Sequence, residues 1–191
     1  PNMDDYSYTG NAVFFLDNPD KPMDFNIHYV DTGGCTITTL HQNSLPFEYG
    51  MSAFCLLTGI EFLFVYYLLS PALVGFLIPL ALFLLISHFS RDTLSAAAGS
   101  LGAICALLLL QETVHTFGSF SFPRAFQGKS FCMAVGIPLF AALSLDFFKS
   151  RSFCSLAAIS AAVTAFIGTS LSAVYMFPFL SIALISAFAA S

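Results

Sequence analysis

Two stretches constrain this chain more than anything else in it. Residues 153–190 run for 38 positions without a charge, and residues 56–87 run for 32 positions with a single charge, Glu61. A helix needs about 20 apolar residues to cross ~30 Å of hydrocarbon, so the first stretch has the length of two crossings. Only 9% of the 191 residues are charged, against about 25% in ordinary soluble domains. That leaves too few polar side chains to coat a globule. Lipid must be the solvent for much of the surface, and no basic patch suited to nucleic acid is present.

Segmenting the apolar runs predicts an all-α membrane protein, a polytopic bundle of six transmembrane helices. The candidate spans are residues 51–69, 72–87, 94–110 and 131–145, with 153–190 divided at Tyr175 to Pro178. If 153–190 is instead one long bent helix, the count is five. Pro71 is expected to open the second span, since a first-turn proline loses no intrahelical bond. Asp92 or Thr93 is the expected N-cap of the third span. Residues 146–152 form a charged turn. The pairs Ala98/Gly102 and Gly99/Ala103, and later Thr164, Gly168 and Ser172, place small residues at helical spacing, so these faces should touch protein rather than lipid. No internal repeat is evident.

Charge divides the chain into an arm, residues 1–48, and a membrane body, residues 49–191. Residues 1–50 hold seven acids (Asp4, Asp5, Asp17, Asp20, Asp24, Asp31, Glu48) against Lys21, a net of −6; the remainder holds four acids and five bases, a net of +1, and the sum is the overall −5. Residues 26–30 and 35–40 are rich in β-formers and flank Asp31-Thr32-Gly33-Gly34, which predicts a β-hairpin in the arm. No basic segment followed by an apolar one opens the chain, so no signal peptide is expected. With six spans, Arg91, Lys149 and Arg151 share a side with the arm while Arg124 and Lys129 lie opposite. The excess of bases favours the cytoplasmic or matrix side for the arm.

Few residues offer chemistry. His88 and His115 bracket the third span, whose ~20 residues rise about a bilayer thickness. They are read as interfacial side chains on opposite faces that cannot share a haem or a metal. Glu112-Thr-Val-His115 has an E-x-x-H spacing but lacks the second such motif and the two further glutamates of a di-metal bundle. Gly128-Lys129-Ser130 lacks the earlier glycine and the preceding strand of a phosphate loop. The five cysteines have no C-x-x-C spacing and read as small apolar packing residues. No catalytic residue, cofactor ligand or metal ligand is therefore expected, only bound lipid. Glu61 is the exception. Eleven residues into its run, it would lie near the hydrocarbon centre, where a carboxylate costs about 2.5–3.5 kcal/mol. It is a candidate proton-, ion- or lipid-related site, or a neutral acid hydrogen-bonded to a neighbour such as Tyr66 or Tyr67.

The body also resembles subunit III of the haem-copper (cytochrome c or quinol) oxidases. Glu48-Tyr49-Gly50-Met51 opens a span, Glu61 stands among aromatics in Ile-Glu-Phe-Leu-Phe, and Leu69-Ser70-Pro71-Ala72 closes it. Leu110-Gln111-Glu112 is followed by Gly128-Lys129-Ser130-Phe131-Cys132 and Gly136, and His88 ends a helix where that family often has histidine. The likeness spans roughly residues 48–147. It departs at Ile137-Pro138-Leu139-Phe140, where the family has His-Gly-x-His, and in the lack of any tryptophan. The resemblance implies an accessory subunit without a redox centre, one that binds phospholipid and supports a catalytic neighbour. The expected function is thus a non-catalytic membrane subunit of a respiratory complex, with other membrane subunits and phospholipid as partners, in the mitochondrial inner membrane. The alternative is a small channel or transporter that uses Glu61.

Overall fold

A computed structural model describes residues 9, 12, 13, 16, 17, 46–110, 121, 122, 124–170 and 172–190. The predicted β-hairpin at residues 26–40 lies outside these. So do Glu112, His115 and Cys35. Among the described residues there is no strand. From residue 46 on they form six helices: α1 (Pro46–Thr58), α2 (Phe62–Ser87), α3 (Thr93–Leu109), α4 (Gly128–Ser150), α5 (Phe153–Ile167) and α6 (Ser172–Ala190). Three of them, α2, α4 and α6, are long and apolar enough to cross a membrane, and α3 and α5 are shorter apolar helices. The chain is a helical membrane protein in two compact units, residues 1–68 and 69–191.

The helix boundaries differ from the sequence expectation in one consistent way: glycines end helices that prolines were expected to end. The first break falls at residues 59–61, not at Pro71. Gly59 has φ +71, a left-handed conformation that costs glycine little, and its N–H donates to the Cys55 carbonyl at 2.8 Å. That is a helix stop of the αL type. Helix α2 then runs straight through Ser70-Pro71. It does so because Val65–Leu69 winds as a π-helix. Proline has no N–H to donate and its ring collides with the carbonyl four residues back; a widened turn accommodates both defects. Helix α4 repeats the device, with a π-turn over Cys132–Gly136 just before Ile137-Pro138.

The uncharged run 153–190 is two helices, not one bent one. Its break comes after Ile167, where Gly168 and Ser170 donate to the Thr164 and Phe166 carbonyls at 3.1 and 3.0 Å. Helix α6 passes through Pro178. The charged turn is also shorter than expected. Asp146 to Ser150 belong to α4, and Arg151, at φ 48, terminates it.

In the unit of residues 69–191, the core joins α2, α4, α5 and α6. Val74, Ile78, Ala81 and Leu82 of α2 share it with Cys132, Ala134, Val135 and Phe140 of α4 and with Phe166 and Phe177. Gly136 makes room for the Phe166 ring: a Cβ there would stand 3.0 Å from it. Phe177 packs 4.9 Å from Phe140 and 6.1 Å from Phe166, centroid to centroid. Helix α3 lies on α2 through Ala96, Gly99 and Ser100. The Ser100 hydroxyl donates to the Pro79 carbonyl at 3.2 Å, and a Cβ at Gly99 would come within 3.0 Å of Ile86. The expectation of protein-facing small residues thus holds for Gly99, which faces Ile86, and for Ala103, which packs on the core, whereas a Cβ at Gly102 would meet nothing.

In the unit of residues 1–68, Ser52 is fully buried and its hydroxyl donates to the Ala12 carbonyl at 3.1 Å. The N-terminal arm therefore includes helical positions bound to α1, at residues that carry no strand pattern.

Candidate functional site

The described residues place their ionisable side chains at helix ends. The most connected group closes the ends of α2 and α4. His88 is the C-cap of α2. Asp146 and Lys149 are three residues apart on α4, hence neighbours on one face. Lys149 Nζ lies 3.1 Å from His88 Nδ1, and His88 Nε2 lies 3.6 Å from Asp146 Oδ1. An ammonium group can only donate. Nδ1 must therefore accept, and the ring proton sits on Nε2, facing the carboxylate. The imidazole reads a cation with one nitrogen and an anion with the other. Its side chain is 11% exposed and that of Asp146 57%, as expected of a tie at the rim of the apolar body.

This tie fixes a direction. The C-terminal ends of α2 and α4 meet, so the two helices run parallel, and the turns that follow them, residues 88–92 and 151–152, lie at the same end. Each turn starts the next helix in the same way. Asp92 accepts from the Ser95 N–H at 2.8 Å and from its hydroxyl at 2.9 Å. Ser152 accepts from the Ser155 N–H at 3.1 Å and contacts its hydroxyl at 2.9 Å. The expected N-cap role of Asp92 is met, and these hydrogen bonds from Ser95 hold its carboxyl below the usual carboxylate range.

The equivalence of the two turns is accompanied by a partial likeness in sequence. Ile78-Pro79-Leu80 recurs as Ile137-Pro138-Leu139. Ser90-Arg91 and Ser95 have counterparts in Ser150-Arg151 and Ser155, with different residues at the three positions between them. Ala97-Ala98 and Ser100 then recur as Ala157-Ala158 and Ser160. One residue, Lys149, is inserted between the two blocks in the second copy. Two helical hairpins, α2–α3 and α4–α5, are thus built on one pattern.

Glu61 is not in mid-helix. It stands at the break before α2, in extended conformation (φ −61, ψ 133), and its side chain caps nothing. It is exposed. Its carbonyl accepts from Val65 N–H at 3.1 Å. Tyr66 is buried, stacked on Phe62 at 5.4 Å with Tyr67 edge-on at 5.0 Å. The apolar run concealed this break, although Thr58-Gly59 is a helix-stop signal.

Among the described residues the buried acid is Glu48, in the first turn of α1, a helix whose 13 residues are too few to cross a bilayer. It is 4% exposed, and its Oε2 has no hydrogen-bond partner among the described residues. Burial pushes its carboxyl up to about 7, opposed by its own backbone N–H. Sequence reading assigned Glu48 to the acidic arm; Pro46, a helix-opening residue two positions earlier, was the available signal.

Among the described residues, no three His, Cys, Asp or Glu side chains come together as metal ligands. Comparison with protein-family models, with curated proteins and with solved structures found no match.

Proposed function

We propose that this chain is a non-catalytic integral subunit of an energy-transducing membrane complex, comparable in role to oxidase subunit III, in the mitochondrial inner membrane. Its work is to pack against neighbouring subunits and to hold phospholipid. The observation that carries the reading is the filling of the interface between the two parallel helices. Val74, Ile78, Ala81 and Leu82 meet Cys132, Ala134, Val135 and Phe140 there. An ion or proton pathway lines such an interface with polar or ionisable groups; here it is packed with apolar ones. Outward, Phe76, Leu101 and Phe179 are more than 60% exposed, an apolar surface suited to lipid or to the helices of a partner.

The parallel run of α2 and α4 also favours a specific topology. If both cross the membrane in the same direction, the chain between them must return. Helix α3, with 17 residues and a rise of about 25 Å, is the segment placed to do so. The same reasoning makes α5 a crossing between α4 and α6. Five crossings result, α2 to α6, with the turns at Arg91 and Arg151 on one side. The positive-inside tendency then assigns the turns to the cytoplasmic or matrix side.

Gentle detergent extraction, a native gel and mass spectrometry of co-migrating chains test the subunit reading. Co-migration with respiratory subunits is expected. A homo-oligomer that carries ion flux in vesicles would replace it with a channel or transporter.

A further inference from the structure

We infer that the two Ser-Arg turns form a twin contact surface for anionic phospholipid headgroups. The inference rests on the membrane reading above and names the lipid class and the residues that select it. The first turn reads Phe89-Ser90-Arg91-Asp92-Thr93-Leu94 and the second Ser150-Arg151-Ser152-Phe153. They occupy equivalent places in the two hairpins, and the His88–Lys149 contact puts them at one end of the molecule.

At each turn the local acid or hydroxyl is already engaged. Asp92 and Ser152 cap the following helices, and Asp146 faces His88. Arg91 and Arg151 are exposed and form no ion pair among the described residues. A guanidinium left free beside a capped helix start is suited to the two-oxygen face of a phosphate.

The neighbours of the arginines say where that phosphate lies. Phe89 is 75% exposed, Leu94 80% and Phe153 82%. Large apolar side chains this exposed, directly flanking a cation at the end of an apolar helix, match the boundary between acyl chains and headgroups. The ring or Leu side chain enters the hydrocarbon edge while the guanidinium stays at phosphate depth. Charge then selects the lipid. Arg91, Lys149 and Arg151 outnumber the carboxylates Asp92 and Asp146 at this end of the molecule, an excess that complements an anionic headgroup and gains less from a zwitterionic one.

The test uses the full chain in vesicles of phosphatidylcholine mixed with phosphatidylglycerol. Lipid retained after gentle extraction is counted by native mass spectrometry. Phosphatidylglycerol should be enriched over its share in the vesicle. Arg91→Gln and Arg151→Gln should each reduce that enrichment about fivefold, and the double variant about twenty-five-fold, the effect of one and two cations near an anionic surface. Arg91→Lys and Arg151→Lys should retain most of it, which separates charge from folding. Adding salt should weaken it.

Insertion without phosphatidylglycerol enrichment would overturn the inference while leaving the membrane reading intact. Failure to insert would overturn both. An enrichment that survives the double Gln variant, or that falls entirely with one arginine, would also overturn the twin surface. If inorganic phosphate displaces the lipid more than chloride of equal ionic strength, the turns bind free phosphate and the lipid assignment is wrong.

Discussion

At the scale of single residues, the two acids in apolar surroundings exchange the roles that composition suggests. Glu48 is the buried one. Its carboxyl titrates at about 7 in the fold against 4.5 when exposed, so the folded state holds the proton more tightly than the unfolded one. Its contribution is therefore fully present below pH 4.5 and declines as pH rises through about 7. The loss is about 3 kcal/mol. The protection factors of the α1 amides, with the intrinsic rise of exchange with pH divided out, should fall from pH 5 to pH 8, and Glu48→Gln should flatten that dependence. An α1 whose protection is the same at both pH values would show that Glu48 does not titrate in this window. Glu61, exposed at a break, should tolerate Glu61→Gln with assembly and host-complex activity nearly unchanged. A variant that inserts and assembles but abolishes ion flux in vesicles would instead promote the transporter.

At the scale of helices, glycines and prolines trade their usual places. Three glycines give contrasting predictions. Gly102 has open space where a Cβ would stand, so Gly102→Ala should be neutral or stabilising by up to about 1 kcal/mol, from helix propensity alone. Gly136 faces the Phe166 ring at 3.0 Å, so Gly136→Val should cost about 1–3 kcal/mol by overpacking. Gly59→Ala meets no neighbour but must hold φ +71, at about 1–2 kcal/mol. Thermal unfolding of the three variants in one detergent should find Gly102→Ala the most stable and the other two below it; a Gly136→Val protein as stable as Gly102→Ala would contradict the packing of α4 on α5. The π-turns before Pro71 and Pro138 explain why those prolines do not end helices. In each helix one widened turn just before the proline absorbs the defect.

At the scale of the whole molecule, the parallel run of α2 and α4 makes a prediction that does not depend on the total number of crossings. Single cysteines at Ser90 and Ser150, with the native cysteines removed, should react with a membrane-impermeant thiol reagent from the same side. Labelling from opposite sides would contradict the His88–Lys149 tie. The arm should serve assembly. Deleting residues 1–44 removes the Ala12 carbonyl bound by Ser52 and most of the acidic charge. The deletion should weaken association with partners while leaving insertion intact, and co-purification of the truncated chain checks this.

The amino-acid sequence by itself determined that the protein is helical and lives in lipid. Apolar runs of 38 residues without a charge and 32 with one have few other stable solutions, because backbone polar groups in hydrocarbon must be satisfied within a helix. It also narrowed the cap to Asp92 or Thr93 and marked a helix over residues 94–110, both set by neighbours within a few positions. The pairing of His88 with Lys149 and Asp146 was decided by tertiary structure, since side chains 61 positions apart have no local signature. The place of Glu61 was decided there as well. Hydropathy is blind to a break within an apolar run, and the αL conformation of Gly59 displaced the helix start by a few residues and moved the carboxylate from mid-helix to a helix end. The partial likeness of the two hairpins was written in the sequence throughout. Its register is set by the Asp92 and Ser152 caps, which hold equivalent places with different side chains, because apolar segments matched by composition alone supply no register.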